Sequence, residues 1–304
     1  MKVPVRAQLC RLRWRFASTC SGASHRGAFH TGLPGLGWSG PRLPPVRIRW
    51  ILLGLTLALL AAACSDSAED VPTRTQLQGR YEADLGTMRY MVWLPDGYGD
   101  DRDKEWPLIV FLHGSGDPEY NSEYVLSVGL PAVLLLDEEP DNFEFVVISP
   151  QANPGQSWWS PGQLELLDGV VTNAVDTYLV DPDRVYVTGL SMGGYGSWWL
   201  ATSYPDKYAA VVSISGSGYQ SSELPEAEFT CRISDIPVWG IHGESDQISE
   251  YPINERLINQ YASMCNADVL WTAYPETGHL GAYSRGYRDP AVYEWMLAQS
   301  KSSS

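Results

Sequence analysis

Gly189-Leu190-Ser191-Met192-Gly193 sets a hydroxyl between two glycines, directly after an apolar run and directly before a glycine-rich helical pattern. A strand-to-helix turn this sharp leaves no room for side chains two residues to either side and pushes the central Ser outward, where its oxygen can attack a carbonyl. In a looser setting the same five residues would be a turn with an idle Ser; the strand before and the helix after argue against that. A Ser hydroxyl also needs a base to take its proton. Beyond Cys64 the chain offers three His: His113 and His242, each closing an apolar run just before a Gly, and His279 in the loop Thr277-Gly-His-Leu-Gly281. Nucleophile elbows take their partners in the chain order Ser, acid, His, which selects His279. The acid falls between them, in His242-Gly-Glu-Ser-Asp246-Gln-Ile248, where Asp246 sits as the chain turns back; Glu244 and Glu250 stand close enough to compete. Its task is to fix the imidazole tautomer and stabilise the charged ring.

Such residues need a common platform. Six near-continuous apolar runs, Pro107–Leu112, Phe145–Ser149, Arg184–Thr188, Ala209–Ile214, Pro237–Ile241 and Asp268–Ala273, alternate with longer helical patterns. This predicts an α/β fold, a mainly parallel twisted sheet with helices on both faces. Arg80–Leu85 and Met88–Leu94, split by Gly86-Thr87, predict an N-terminal antiparallel hairpin. Ser160-Pro-Gly-Gln163 predicts a capped start for a helix over Gly162–Leu179, and Asp289-Pro290 opens the last helix. Ligands of open parallel sheets sit at the carboxyl ends of the strands, so the loops that follow the six runs converge on one site.

The first 64 residues hold nine Lys and Arg and no acid, whereas the rest holds 12 basic and 36 acidic residues, a formal charge of −24. That charge disfavours phosphate backbones and anionic headgroups, so nucleic acid is excluded as a partner. Arg47-Ile-Arg-Trp50, the apolar run Ile51–Ala63 and Cys64-Ser-Asp have the three parts of a secretory signal, and the run is short for a membrane span. Leu60-Ala-Ala-Ala-Cys64 resembles a bacterial lipobox, with Ala61 where that pattern prefers Leu. The expected organisation is a leader over 1–45 that the signal does not need, a signal peptide with lipidation at Cys64 over 46–64, a linker over 65–79 and one catalytic domain over 80–300. The product is expected to be exported, anchored in the cell envelope or secreted. Membrane contact would come only through the anchor or signal.

Leu112-His-Gly-Ser-Gly116, Asp181-Pro-Asp-Arg184 running into Ser191-Met-Gly-Gly194, Trp239-Gly-Ile-His-Gly243 with Asp246, Tyr274-Pro-Glu-Thr-Gly-His279 and Tyr293-Glu-Trp-Met-Leu297 together resemble the carboxylesterase and predicted-peptidase branch of the α/β-hydrolases. That branch is also similar to prolyl-oligopeptidase catalytic domains, dienelactone hydrolases, feruloyl esterases and polyhydroxybutyrate depolymerases. The likeness runs from about residue 80 to 298. It implies the α/β-hydrolase fold and an oxyanion hole made by the backbone N–H groups of Ser115 and Met192, with His113 structural.

With three dispersed His and no phosphate or dinucleotide fingerprint, the chemistry calls for no cofactor and no metal. Trp158 and Trp159, in the loop after Ser149, are candidate substrate walls or simple packing. Tyr120, Tyr124, Tyr219, Tyr251, Tyr283 and Tyr287 fall in the other loops around Ser191, with Arg285 and Arg288 the only nearby cations. Such a cleft suits a neutral small-molecule or polysaccharide-linked ester with a short or aromatic acyl group or an attached sugar. A serine peptidase and a non-catalytic binding protein on the same fold are the alternatives. Cys231 and Cys265 both precede strands at the end of the sheet away from the site, and an exported protein is expected to bridge them.

Overall fold

The computed structural model describes residues 75–115, 122–141, 143–219 and 224–301; the expectations for the leader, the signal and Cys64 lie outside them. In chain order the elements are β1 (Thr75–Ala83), β2 (Gly86–Leu94), β3 (Trp106–Leu112), α1 (Ser122–Ser127), α2 (Gly129–Leu135), β4 (Val146–Pro150), α3 (Gln163–Thr177), β5 (Val180–Leu190) and α4 (Met192–Ser203). They continue with β6 (Ala210–Ile214), α5 (Ala227–Thr230), β7 (Val238–Gly243), α6 (Tyr251–Cys265), β8 (Val269–Tyr274), α7 (His279–Gly286) and α8 (Pro290–Leu297). The strands form one sheet in the order β1-β2-β4-β3-β5-β6-β7-β8. Among the described strands β2 is the one reversed in direction, pairing antiparallel with both β1 and β4.

The apolar runs are continuous because both faces of the sheet are covered. Along β3, Leu108, Val110 and Leu112 join one core with Leu167 and Val170 of α3, Trp198 and Leu200 of α4 and Tyr261 of α6. The alternate residues Ile109 and Phe111 join a second core with Leu134 of α2, Ala282 of α7 and Val292 and Tyr293 of α8. The period of two along an extended chain thus feeds both layers.

Three local expectations need correction. The hairpin turns two residues earlier than its glycine suggests: Ala83 pairs with Gly86, so Asp84-Leu85 form the loop, and Gly86, at φ 135°, opens β2. β5 begins at Val180 rather than Arg184. A register shift at Trp106/Leu108 accommodates the Asp181–Arg184 segment, where Asp181 accepts from the Asp183 amide and the Arg184 guanidinium. α3 does start at Gln163, but no side chain caps it; Ser160 Oγ accepts instead from the Ser157 amide, and Gln163 Oε1 faces the Asn153 amide. Asp289 caps α8 as the sequence suggests, accepting from the Ala291 amide.

Cys231, in a short 3₁₀ turn before β7, and Cys265, which ends α6, lie with Cα atoms 5.1 Å apart and their sulfurs within bonding distance. Among the described residues, no helix is long and apolar enough to cross a membrane.

Candidate active site

Ser191 stands between β5 and α4 with φ 54° and ψ −118°. This is a costly conformation for a residue with a side chain, by about 1 to 3 kcal/mol. Its amide donates to the Ile214 carbonyl of β6 at 2.9 Å, and its carbonyl accepts from the Tyr195 amide at 3.1 Å. The flanking glycines are a matter of space. A Cβ on Gly189 would overlap the Gly193 carbonyl, a Cβ on Gly193 would overlap the Leu112 carbonyl of β3, and one on Gly216 would strike the Ser191 carbonyl. Packing against β3 and β6 therefore holds the strain at Ser191.

On one side of Ser191 the chain leaves β3 through His113. That ring is buried; its Nε2 accepts from the Ala152 amide at 3.1 Å, which leaves Nδ1 to donate to the Gly114 carbonyl at 2.7 Å. The His113 carbonyl accepts from Trp158 Nε1 at 2.9 Å, and the two rings meet edge to face at 4.9 Å. Trp158 is fully buried, so it is no substrate wall. It packs against Gly196 of α4, where a Cβ would fall 2.7 Å from its own, and it braces the loop that carries Ser115.

On the other side lie the acid and the base. Asp246, in the loop after β7, is 4% exposed. Its Oδ1 accepts from the amides of Ile248 at 2.9 Å and Ser249 at 3.0 Å; its Oδ2 accepts from His279 Nδ1 at 2.7 Å. Glu244 and Glu250 are exposed, so among the three carboxylates it is Asp246 that holds His279. His242 Nε2 stands 3.1 Å from the same Oδ2. Burial by itself would raise the Asp246 pKa. Hydrogen bonds from His242 and His279, and then from the Ser249 and Ile248 amides, outweigh it and hold the carboxyl well below its ordinary range.

His279 is the first residue of α7, 9% exposed, with Tyr283 edge-on at 5.7 Å. The Asp246 and His279 loops are tied by amide bonds from Ser245 to the Thr277 carbonyl and from Glu244 to the Tyr274 carbonyl. They approach so closely that a Cβ on Gly243 would overlap the Thr277 carbonyl. Arg285, expected near the substrate, instead donates to Thr277 Oγ1 at 3.0 Å and lies over the Tyr274 ring at 4.1 Å, bracing the His279 loop. Arg288 binds Glu138.

A cleft of about 380 Å³ opens at Ser191, lined by Ser115, Met192, Ser157, Trp159, Tyr195, Ile248, Ser249, Glu250, Ile253 and Asn254. Both expected oxyanion donors therefore border it, and Trp159, unlike Trp158, forms part of its wall. Among the described residues the lining carries one carboxylate, Glu250, and no cation. Tyr219 and Tyr287 are not there: Tyr219 packs among Trp198, Trp199 and Phe229, and Tyr287 is buried with its hydroxyl 3.0 Å from Thr188 Oγ1. Tyr251 packs on Trp271 and His242. Tyr120 lies outside the described residues.

Several wall residues went unpredicted. Tyr195 follows Ser191 by four positions, one helical turn, which is the signal that could have found it. Its hydroxyl meets Ser249 Oγ at 2.6 Å; Asn254 Nδ2 donates to the same Oγ at 3.0 Å, and Asn254 Oδ1 accepts from the Ser217 amide at 2.8 Å. Among the described residues no group of three His, Cys, Asp or Glu is placed to hold a metal ion.

A sheet with one reversed strand, a strained Ser after β5, an acid after β7 and a His after β8 are the arrangement of the α/β-hydrolase fold. Residues 138–284 match the phospholipase/carboxylesterase family model. The chain is 29% identical over 180 residues to poly(3-hydroxyalkanoate) depolymerase C of Paucimonas lemoignei, covering 54% of this chain and 40% of that protein. It is 26% identical over 247 residues to feruloyl esterase C of Emericella nidulans, covering 77% and 83%. The crystal structure of a thermostable esterase superposes with a TM-score of 0.59 at 24% identity, covering 74% of this chain and 63% of that one. The chain spans less than half the length of three curated relatives it matches.

Proposed function

We propose that this chain is a serine esterase working through an acyl-enzyme on Ser191. Ser191 Oγ attacks the ester carbonyl while His279 Nε2 takes its proton, and Asp246 stabilises the imidazolium through Nδ1. The backbone N–H groups of Ser115 and Met192 stabilise the tetrahedral oxyanion. Its collapse breaks the ester C–O bond, and His279 returns the proton to the leaving alcohol. Water, deprotonated by His279, then attacks the acyl-Ser191 ester, and the carboxylic acid leaves as Ser191 recovers its proton.

The observation that carries this reading is the buried His279 Nδ1 to Asp246 Oδ2 hydrogen bond at 2.7 Å, at the same end of the sheet as a Ser held at φ 54°. The substrate class follows from the cleft. Among the described residues the wall carries Trp159 and no cation, which suits neutral esters of short or aromatic acids, or esters attached to sugars. The names of the relatives, a feruloyl esterase and a polyhydroxyalkanoate depolymerase, point the same way. The charged, apolar and small-residue parts of residues 46–64, the lipobox-like Leu60–Cys64 and the paired Cys231 and Cys265 support export, with residues 46–64 as the signal and Cys64 as the lipidated residue; the catalytic domain, expected over 80–300, takes in β1 from Thr75, five residues of the expected linker.

A fluorophosphonate probe tests the chemistry in one gel. Labelling of the wild type, absent in Ser191→Ala and His279→Ala at unchanged thermal midpoint, is the expected result. Persistent labelling of Ser191→Ala would remove the assignment. A peptide anilide cleaved faster than p-nitrophenyl acetate would replace esterase with peptidase.

A further inference from the structure

His242 is fully buried at the end of β7 and takes no part in the chemistry described above. Its Nε2 lies 2.7 Å from the Ser249 carbonyl oxygen and 3.1 Å from Asp246 Oδ2. A carbonyl and a carboxylate can only accept, so Nε2 carries the proton and shares it between them. Nδ1 is buried with no hydrogen-bond partner. An unpartnered lone pair is tolerated there better than an unpartnered N–H, in keeping with Nε2 as the donor. Trp271, stacked at 5.9 Å, and Tyr251, edge-on at 5.8 Å, fix the ring's orientation.

The bonds close a ring. Ser249 gives its N–H to Asp246 Oδ1 at 3.0 Å and receives the His242 N–H on its carbonyl, while His242 reaches Asp246 Oδ2. A histidine needed only to close a strand could satisfy Nε2 on Ser249 alone. Here it reaches the one oxygen that also receives the His279 proton. Ser249 in turn carries Tyr195 and Asn254 of the cleft wall on its hydroxyl, so the same ring fixes that wall.

We propose that His242 is a positioning residue of the triad: its Nε2–H locks the Asp246 carboxylate in line with His279 and draws charge from Oδ2, setting how strongly the acid pulls on the base. The proposal rests on the Ser191–His279–Asp246 reading and adds a fourth member to it. With His242 in place the carboxylate stays ionised and immobile, and its grip on the His279 proton is moderated because two donors share one oxygen. Removing His242 leaves His279 alone on Oδ2, so the imidazolium is held more tightly and the base titrates at higher pH. The other titratable and charged groups around the pair come from each packed element. Glu244 and Glu250 of the acid's loop are exposed; Tyr251 of α6 donates to Glu255; Tyr283 of α7 lies against His279; and Arg285 is held by Thr277 and Tyr274. β8 contributes Trp271, which does not titrate.

The test is the pH profile of kcat/KM for p-nitrophenyl acetate in the wild type, His242→Leu and His242→Gln. For His242→Leu, kcat should fall about ten- to hundredfold at nearly constant KM, the range seen when partners supporting a ligating group are removed. The acidic limb, which reports the base in the free enzyme, should move up by about half a unit to one unit. Gln can place an amide N–H near the position of Nε2, and His242→Gln should recover both quantities toward wild type. If His242→Leu does not fold, His242→Asn replaces it; its shorter amide cannot reach Oδ2 and should show the same upward shift. An unmoved acidic limb in the Leu or Asn variant, or a Gln variant no better than that variant, would overturn the proposal. Ser191→Ala and His279→Ala are measured beside them. Turnover surviving in those two removes the triad itself, whereas inactive triad variants with an unmoved His242 profile remove only the role given to His242.

Discussion

Ser191 is flanked by two supports built from different physics. On the β7–β8 side the parts are polar and one is charged: Asp246 is buried with four donors around it, His279 and His242 share one of its oxygens, and backbone bonds stitch the two loops together. On the β3–β4 side the parts are packing and backbone bonds: His113 is pinned by the Ala152 amide and the Trp158 indole, and Trp158 fills the core behind the loop that carries Ser115. The first support sets the energy of a proton; the second sets the position of a backbone. Damage to the first should therefore appear in rate and pH dependence, and damage to the second in stability, with rate following.

The largest separation is expected from Asp246→Asn. The side chain keeps its shape, but its amide can present an N–H to His279 Nδ1 and favour the wrong tautomer, so kcat should fall by roughly ten-thousandfold while the fold persists. A carboxyl whose pKa is depressed by folding stabilises the native state fully above its unfolded value, about 3.9, and loses that contribution as pH falls toward the folded value. Acid unfolding of Asp246→Asn should therefore be flatter below about pH 4 than that of the wild type. A fall in rate of less than about tenfold would mean that this side of Ser191 is a scaffold like the other.

Trp158→Ala probes the packed support. Removing a fully buried indole that packs against α4 and bonds the His113 carbonyl should cost about 3 to 5 kcal/mol of stability, a fall of roughly 10 °C in the thermal midpoint. Turnover should drop as well, because the loop of Ser115, the proposed oxyanion donor, loses its brace, but the acidic limb of the pH profile should stay where it is. A shifted limb with an intact midpoint would reverse the contrast between the two sides.

Much of this was legible in the sequence because the period of a doubly covered strand and the spacing of an elbow are both local. Val110 and Phe111 point to opposite cores, so β3 had to be apolar throughout; Gly193 had to be glycine because the Leu112 carbonyl passes beside it, and Gly189 because the Gly193 carbonyl does. What was not legible depended on which face of an irregular segment meets the core. Trp158 and Trp159 are adjacent in a loop with no period, and only the folded chain separates them. Asn254 and Ser249 became wall residues once α6 docked beside Ser191, which no spacing announces. The Gly86 turn moved because glycine there opens a strand rather than closing a loop. His242, four residues before Asp246, was readable as a strand end but not as a donor, since its direction is set by Trp271 on the neighbouring strand.

The smallest effect, and the one that separates neighbours, belongs to Trp159→Ala. Trp159 is half-buried, packing one part against the first core and lining the cleft with the rest, while its predecessor is wholly inside; truncating it removes contact area for a substrate and less packing than at Trp158. Its stability cost should stay near 1 kcal/mol or below, against the several expected for Trp158→Ala. In turnover the change should depend on the acyl group: an aromatic acyl ester such as methyl ferulate loses a stacking surface worth about 0.5 to 1.5 kcal/mol, up to roughly tenfold in kcat/KM, whereas p-nitrophenyl acetate, whose acyl group is a single methyl, changes less. The measurement is the ratio of kcat/KM values for the two esters in the variant and the wild type. A falling ratio assigns Trp159 to the acyl side of the cleft. An unchanged ratio at equal stability moves the acyl group to the part of the wall formed by Tyr195 and Asn254, and leaves the division between the two supports of Ser191 intact.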